Sequence, residues 1–139
     1  MRQEHSEFRI ASRGPGLYEF TGEVEAWVRR TGIRDGLVTL FCRHTSASLL
    51  IQENADPDVR TDLLRYFARI APEDPRAYVH TIEGDDDMPA HLRAALTQVH
   101  LSIPVRDGRL VLGAWQGIYL FEHRRGSHVR HVAAHLAGE

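Results

Sequence analysis

Nine histidines occur in the 139 residues of this chain, and three of them, His44, His80 and His91, stand beside acids, hydroxyls and small residues. The densest stretch is His80-Thr81-Ile82-Glu83-Gly84-Asp85-Asp86-Asp87-Met88-Pro89-Ala90-His91, where two imidazoles bracket four carboxylates within twelve residues. Imidazole with carboxylate suits Zn²⁺ or another first-row divalent ion, whereas an all-oxygen set suits Mg²⁺ or Ca²⁺. The spacing is neither HExxH nor a calcium loop. His91 falls in the first turn or so of an expected helix, where the macrodipole favours the neutral, ligand-competent ring. An acid run alone reads as a solvated cap; flanked by His80 and His91 it reads as a metal centre. His44 is the third imidazole expected there, and Glu83 or Asp86 the carboxylate ligand or general base.

Other candidates lie on strands and turns. If the segment from His44 is one unbroken strand, its period of two puts His44, Ser46 and Ser48 on one face and Ala47, Leu49 and Ile51 on the other. No nucleophile elbow accompanies those hydroxyls, so a serine hydrolase is not indicated. Glu53, Asp56 and Asp58 crowd the start of the next helix, which disfavours phosphate there unless a cation intervenes. Asn54 between them either shapes the turn or binds ligand. In Gly113-Ala114-Trp115-Gln116-Gly117, glycines beside an aromatic allow close backbone approach, and Trp115 is either a core residue or a stacking platform. Arg124 can pair with Glu122 or receive a phosphate on a sheet face. Cys42 has no second cysteine to resolve it and reads as buried and inert.

Composition narrows the function classes. All 17 basic residues are Arg, so no Lys can act as Schiff base, P-loop cation or general base. A net charge of −2 with scattered acids and bases argues against a nucleic-acid surface, which needs a basic stripe. Apolar runs such as Gly117–Phe121 are far shorter than a membrane span. A polar start and a single cysteine favour a cytoplasmic protein.

The elements expected to position these residues form one domain over residues 1–139. Strands are expected at His5–Ser12, Leu17–Thr21, Leu37–Arg43, Ser46–Gln52, Val99–Val105, Arg109–Trp115, Gly117–Arg124 and His128–Leu136, with an Asp107-Gly108 hairpin turn. Helices are expected at Glu23–Arg30, from an Asp56 cap and Pro57 onward with Val59, Leu63, Tyr66, Phe67 and Ile70 on one stripe, and from near Asp87 with Met88, Leu92, Ala95 and Leu96. Strands at both ends with helices between imply an α+β fold with mostly antiparallel, sandwich-like sheets.

The order of these segments resembles the YjbQ (UPF0047) family. The likeness runs through His44-Thr-Ser-Ala-Ser-Leu, Glu53-Asn54-Ala55-Asp56-Pro57-Asp58-Val59-Arg60, His80-x-x-Glu83-Gly84-x-Asp86-Asp87-Met88-Pro89-x-His91, Ile103-Pro104-Val105, and Gly113-x-Trp115-Gln116-Gly117-Ile118. The resemblance implies a β-rich homotrimer and a weak, secondary thiamine-phosphate synthase activity, joining a pyrimidine diphosphate to a thiazole phosphate with release of diphosphate. It implies a site at His44, Asn54, His80, Glu83, Asp86, His91 and the Trp115-Gln116-Gly117 turn. A divalent metal on His44, His80 and His91 would fit that reaction, with Mg²⁺ the alternative if the diphosphate substrate carries it. Arg124, Arg60 and Glu122 complete the expected ligand-binding set, with a small phosphorylated metabolite as ligand. A non-catalytic trimeric binder of a metal or phosphometabolite, and a phosphate-ester hydrolase, are the rival readings. The chain departs from the family pattern at Gln98-Val99-His100, where Gly and Ser are usual, and at Ala114 in place of Thr.

Overall fold

Alternation along two long strands sets the larger sheet. In the computed structural model, which describes residues 1–139, Arg2–Arg13 (β1) turns Phe8 and Ile10 inward and Gln3, His5, Glu7 and Arg9 outward. Ser127–Gly138 (β8) buries Val132, Ala134 and Leu136 and turns His131, Ala133 and His135 to the opposite face. The two pair antiparallel from Arg2↔Gly138 to Arg13↔Ser127. Gly36–Cys42 (β3), His100–Arg106 (β5) and Arg109–Leu110 (β6) extend the sheet in the order β1-β8-β3-β5-β6. Gly16–Glu19 (β2), Ala47–Glu53 (β4) and Gln116–Glu122 (β7) form a second antiparallel sheet, ordered β2-β7-β4.

One apolar cluster joins the sheets: Val38, Leu40, Leu101, Ile103, Val132 and Leu136 from the larger, Leu49, Ile118 and Leu120 from the smaller. Helix Thr21–Thr31 (α1) adds Val24, Trp27 and Val28 and stops at Gly32, whose φ of 74° is the left-handed conformation that glycine adopts without steric cost. The α+β class and the antiparallel sheets agree with the sequence. No helix is long and apolar enough to cross a membrane.

Helix Pro57–Ile70 (α2) starts as expected, with Asp58 N–H donating to the Asp56 carboxylate at 2.9 Å. Its stripe is only half covered, and Tyr66 and Ile70 stay exposed. Helix Asp87–Leu96 (α3) corrects its expected stripe. It buries Asp87, Pro89, Ala90, Arg93 and Ala94, while Leu96 is exposed. Its inner face carries small residues and two polar ones, Asp87 bonded to His91 and Arg124, and Arg93 donating to the Ala71 carbonyl.

Two strand expectations also change. The segment from Arg109 leaves the ladder after Leu110: Val111 N–H makes one further bond to Pro104, and Gly113 N–H then goes to the Gln116 side chain at 2.7 Å. Ala47, not Ser46, begins β4, so His44-Thr45-Ser46 is irregular and the expected polar strip does not exist. Ser48 and Ala47 are both buried.

Packing at the β3–β8 ladder leaves no room beside Gly36, where a Cβ would collide with the carbonyl of Ala137. Gly36→Ala should therefore cost about 2–4 kcal/mol in urea unfolding, in the range of overpacked positions. Gly22→Ala, in α1 with nothing within 4 Å of the added methyl, should instead gain about 0.5–1 kcal/mol. Equal effects of the two substitutions would contradict this packing.

Candidate metal centre

Residues four apart on a helix share a face, and α3 uses this to bring Asp87 and His91 together. His91 Nε2 lies 3.0 Å from Asp87 Oδ2, and His80, from the preceding loop, brings its Nε2 to 2.7 Å from the same oxygen. The candidate ligand atoms of these three residues all lie within 4.8 Å of one another. Atoms bound at about 2.0–2.2 Å to a tetrahedral Zn²⁺ lie roughly 3.2–3.6 Å apart, so sub-ångström shifts would seat an ion.

The hydrogen-bond roles at His91 are informative. Its Nδ1 faces the carbonyl oxygen of Thr45 at 2.9 Å, so that nitrogen must carry the hydrogen. In the neutral ring Nε2 then bears a lone pair, yet it points at a carboxylate oxygen. Two acceptors at this distance need a positive charge between them: a second ring proton or a metal cation. A carbonyl holding the far nitrogen of a histidine is also how metal-ligating imidazoles are commonly oriented.

Arg124 fixes the carboxylates. It donates to Asp86 through Nε at 3.0 Å, to Asp87 Oδ1 through Nη1 at 2.9 Å, and to the Glu83 carbonyl through Nη2 at 3.0 Å. Arg125 N–H adds a bond to Asp86 at 2.9 Å. Burial pushes both Asp carboxyls up, but these donors, and the two imidazoles at Asp87, outweigh it and hold both below the usual carboxylate range. Hydrogen bonding to Asp86 drives the Arg124 guanidinium above its ordinary value. The expected phosphate role of Arg124 gives way to a carboxylate clamp, since four of its five N–H groups are used on Asp86, Asp87 and the Glu83 carbonyl.

Glu122 is corrected likewise, from ligand-binding residue to buried anchor. Fully enclosed, it accepts from Ser12 at 2.6 Å, from Arg130 Nε at 2.7 Å, and from the backbone N–H groups of His123 and Arg124. Burial raises its carboxyl, and the bonds from Arg130 and Ser12 more than reverse this. His44 stands apart from the trio. Its Nε2 accepts the His131 N–H at 2.8 Å, and burial followed by the Arg130 charge lowers its affinity for a proton. Asp87, rather than the expected His44, stands between His80 and His91. The i, i+4 spacing of Asp87 and His91 was the available signal, obscured by the two acids before it.

The remaining candidates lie elsewhere. Glu83 is exposed at the rim and Asp86 is clamped. Trp115, Gln116, Gly117 and Asn54 sit at the start of β7, and Glu122 ends it, so these groups are separated by roughly 20 Å of strand. There Asn54 Nδ2 donates to Glu19 at 3.2 Å and its N–H to the Trp115 carbonyl. A Cβ on Gly117 would lie 2.6 Å from Glu19 Oε2, so a side chain there would have to displace Glu19 from Asn54. Trp115 is 65% exposed, which excludes the core reading. Arg60 donates to the Tyr119 hydroxyl at 3.2 Å.

Comparison with known proteins covers almost the same span as these elements. Residues 6–139 match the family model described as UPF0047 protein YjbQ-like. The chain belongs to the YjbQ-like UPF0047 family. A UPF0047 protein of Synechocystis sp. is 53% identical over 99% of this chain and 94% of its own length. The UPF0047 protein YjbQ of Escherichia coli O157:H7 is 46% identical over 94% of both chains. Among solved structures, a hypothetical protein of Aeropyrum pernix K1 has a TM-score of 0.88 at 29% identity, covering 98% of this chain and 99% of its own. A yjbq/upf0047 family protein of Clostridium acetobutylicum has a TM-score of 0.87 at 32% identity, covering 95% and 99%. The UPF0047 family therefore holds for the sequence and the fold alike.

Behind the site, His123 packs on Phe121 and bonds Ser48 at 2.9 Å, and burial, then the Arg93 charge, depresses its pKa to about 3. A histidine whose folded value lies below its unfolded 6.5 binds its proton only when unfolded across that interval, so stability is complete above 6.5 and falls as pH drops toward 3. The depressed Asp86, Asp87 and Glu122 add losses at lower pH, below their unfolded values and through their folded ones. Between pH 6 and 4.5, His123→Asn should flatten the dependence of unfolding free energy by up to about 1.4 kcal/mol per pH unit. An unchanged slope would show that His123 is protonated in the folded protein.

Proposed function

We propose that this chain is a metal-assisted enzyme acting on a small phosphorylated metabolite, with the cation held by His80, Asp87 and His91. The observation carrying this reading is the convergence of two imidazole nitrogens on one carboxylate oxygen, with the far nitrogen of His91 fixed on Thr45. By family resemblance, the reaction proposed is the joining of a pyrimidine diphosphate to a thiazole phosphate with loss of diphosphate. A cation held there would neutralise charge on the departing diphosphate.

The chain's own residues have separate duties in this reading. Arg124 and Asp86 keep Asp87 still. Glu83, exposed and adjacent, is the general base. A cavity of about 600 Å³ is lined by Phe41, Cys42, Arg43, His44, Thr45, Ser46 and Val99, so the residue whose carbonyl holds His91 also borders it. It offers room for substrate, and it gives His44 a substrate-side role in place of metal ligation. Arg43 and Arg125, both 61% exposed and held only by surface pairs with Glu7 and Glu73, are the arginines assigned to phosphate in this reading. The separation of Trp115, Gln116 and Asn54 from the metal ligands supports a further proposal, a cytoplasmic homotrimer in which one copy's β7 start meets another's metal centre. Light scattering should then give about three times the 15.8 kDa chain mass, and a stable monomer would remove that arrangement.

Metal content and thiamine-phosphate formation, measured on the same samples, test the reading. Chelator-stripped protein should take up one divalent ion at this site. Asp87→Asn should weaken that uptake by more than the roughly 10–100-fold typical of losing an outer-shell partner. His44→Ala should leave it intact. Glu83→Gln should keep the ion and lower turnover by about 10²–10⁴-fold, as loss of a general base does. Activity indifferent to both Asp87→Asn and Glu83→Gln would end the proposal.

A further inference from the structure

The outer face of the larger sheet carries imidazoles that the proposed reaction does not use. His5 of β1 and His135 of β8 are direct cross-strand partners, and their ring centroids lie 4.8 Å apart at an interplanar angle of 50°. Direct partners on one face have Cβ atoms about 4.5–5.5 Å apart, so the two rings stand side by side. Gln3 stands two residues along β1 on the same face, its Oε1 at 2.9 Å from His135 Nε2. His5 is exposed and His135 half-buried, so ions can reach both rings.

Charge around the pair is permissive. Glu7 is the next outward residue on β1, and it pairs with His131 at 2.8 Å and Arg43 at 3.4 Å. Thr39 is the cross-strand neighbour of His135 on its other side. Arg9 lies opposite His131 rather than His135. The immediate surroundings of the two rings are therefore neutral amide and hydroxyl, with no cation in register beside them.

We infer that His5 and His135 form a second divalent-metal site on the outer face of the larger sheet, with the Gln3 amide oxygen as a third donor. Two neutral imidazoles and an amide oxygen select borderline ions such as Zn²⁺, Ni²⁺ and Cu²⁺ over Mg²⁺ or Ca²⁺. Without an anionic ligand the site is weaker than the His80–Asp87–His91 centre, by about tenfold or more.

Calorimetric titration of untagged, chelator-stripped protein with Zn²⁺ and Ni²⁺ tests this independently of the first centre. A His80→Ala/His91→Ala variant should keep one weak equivalent per chain. His135→Ala should abolish that equivalent in the same background, and so should His5→Ala, with the folded circular-dichroism spectrum unchanged. Wild type should show two equivalents for Ni²⁺ and none at this site for Mg²⁺. Failure of the first centre would appear as loss of the tight equivalent alone. No weak uptake in the double variant, or uptake that survives both His135→Ala and His5→Ala, would overturn the second site.

Discussion

A single carboxylate oxygen, Asp87 Oδ2, lies within hydrogen-bond reach of two imidazole nitrogens in a mostly buried position. Left alone, such a carboxylate would be costly to bury and free to rotate. Arg124 removes both problems by taking the other oxygen of Asp87 together with both oxygens of Asp86. Arg124 itself is fixed in turn, because Glu122 captures its backbone N–H as the chain leaves β7. The Glu122–Arg130 pair then ties that strand end to β8, and Arg130 reaches on to Ser46 at 3.1 Å. Buried ion pairs of this kind add little net stability, but removing one partner strands a charge, which keeps the geometry single-valued.

The same chain of contacts separates clamped from accessible polar residues. Glu122, Arg124, Arg130 and Asp86 spend their hydrogen bonds on one another. His80, His91 and Glu83 are more open to solvent. Thr45 links the two groups through its carbonyl, which orients His91 from the loop carrying His44. That loop also lines the cavity of about 600 Å³, so the proposed ligand space and the proposed metal centre would be neighbouring but different surfaces.

Much of the fold was legible because it follows from periodicity: the alternation in β1 and β8, the Asp56 cap and the Gly32 stop each have a local cause. The differences have physical causes too. A period of two does not carry through His44-Thr45-Ser46, where the backbone bends. The apolar residues of α3 suggest an inner stripe, yet that face is occupied by Asp87 and Arg93. That His80, His91 and one of the acids cluster follows from composition and spacing. Which acid joins them depends on the helix start, and one residue's shift exchanges Asp86 for Asp87. Arg124 could not be read as a clamp from sequence, since its partners lie 37 and 38 residues away. The distance between Trp115 and Glu122 was implicit in the strand length all along.

The tautomer of His91 bears most directly on the proposed metal centre. Nitrogen-15 NMR of imidazole-labelled, chelator-stripped protein, recorded before and after one equivalent of Zn²⁺, reads both ring nitrogens of His80 and His91. Holding Nδ1–H on Thr45 while a cation occupies the space toward Asp87 predicts that His91 Nδ1 keeps its proton. Nε2 of both rings should move to metal-bound shifts on addition of the ion. If His91 remains doubly protonated and neither ring responds to Zn²⁺, the positive charge between the imidazoles and Asp87 is only a proton, and the cluster is a salt bridge rather than a metal centre.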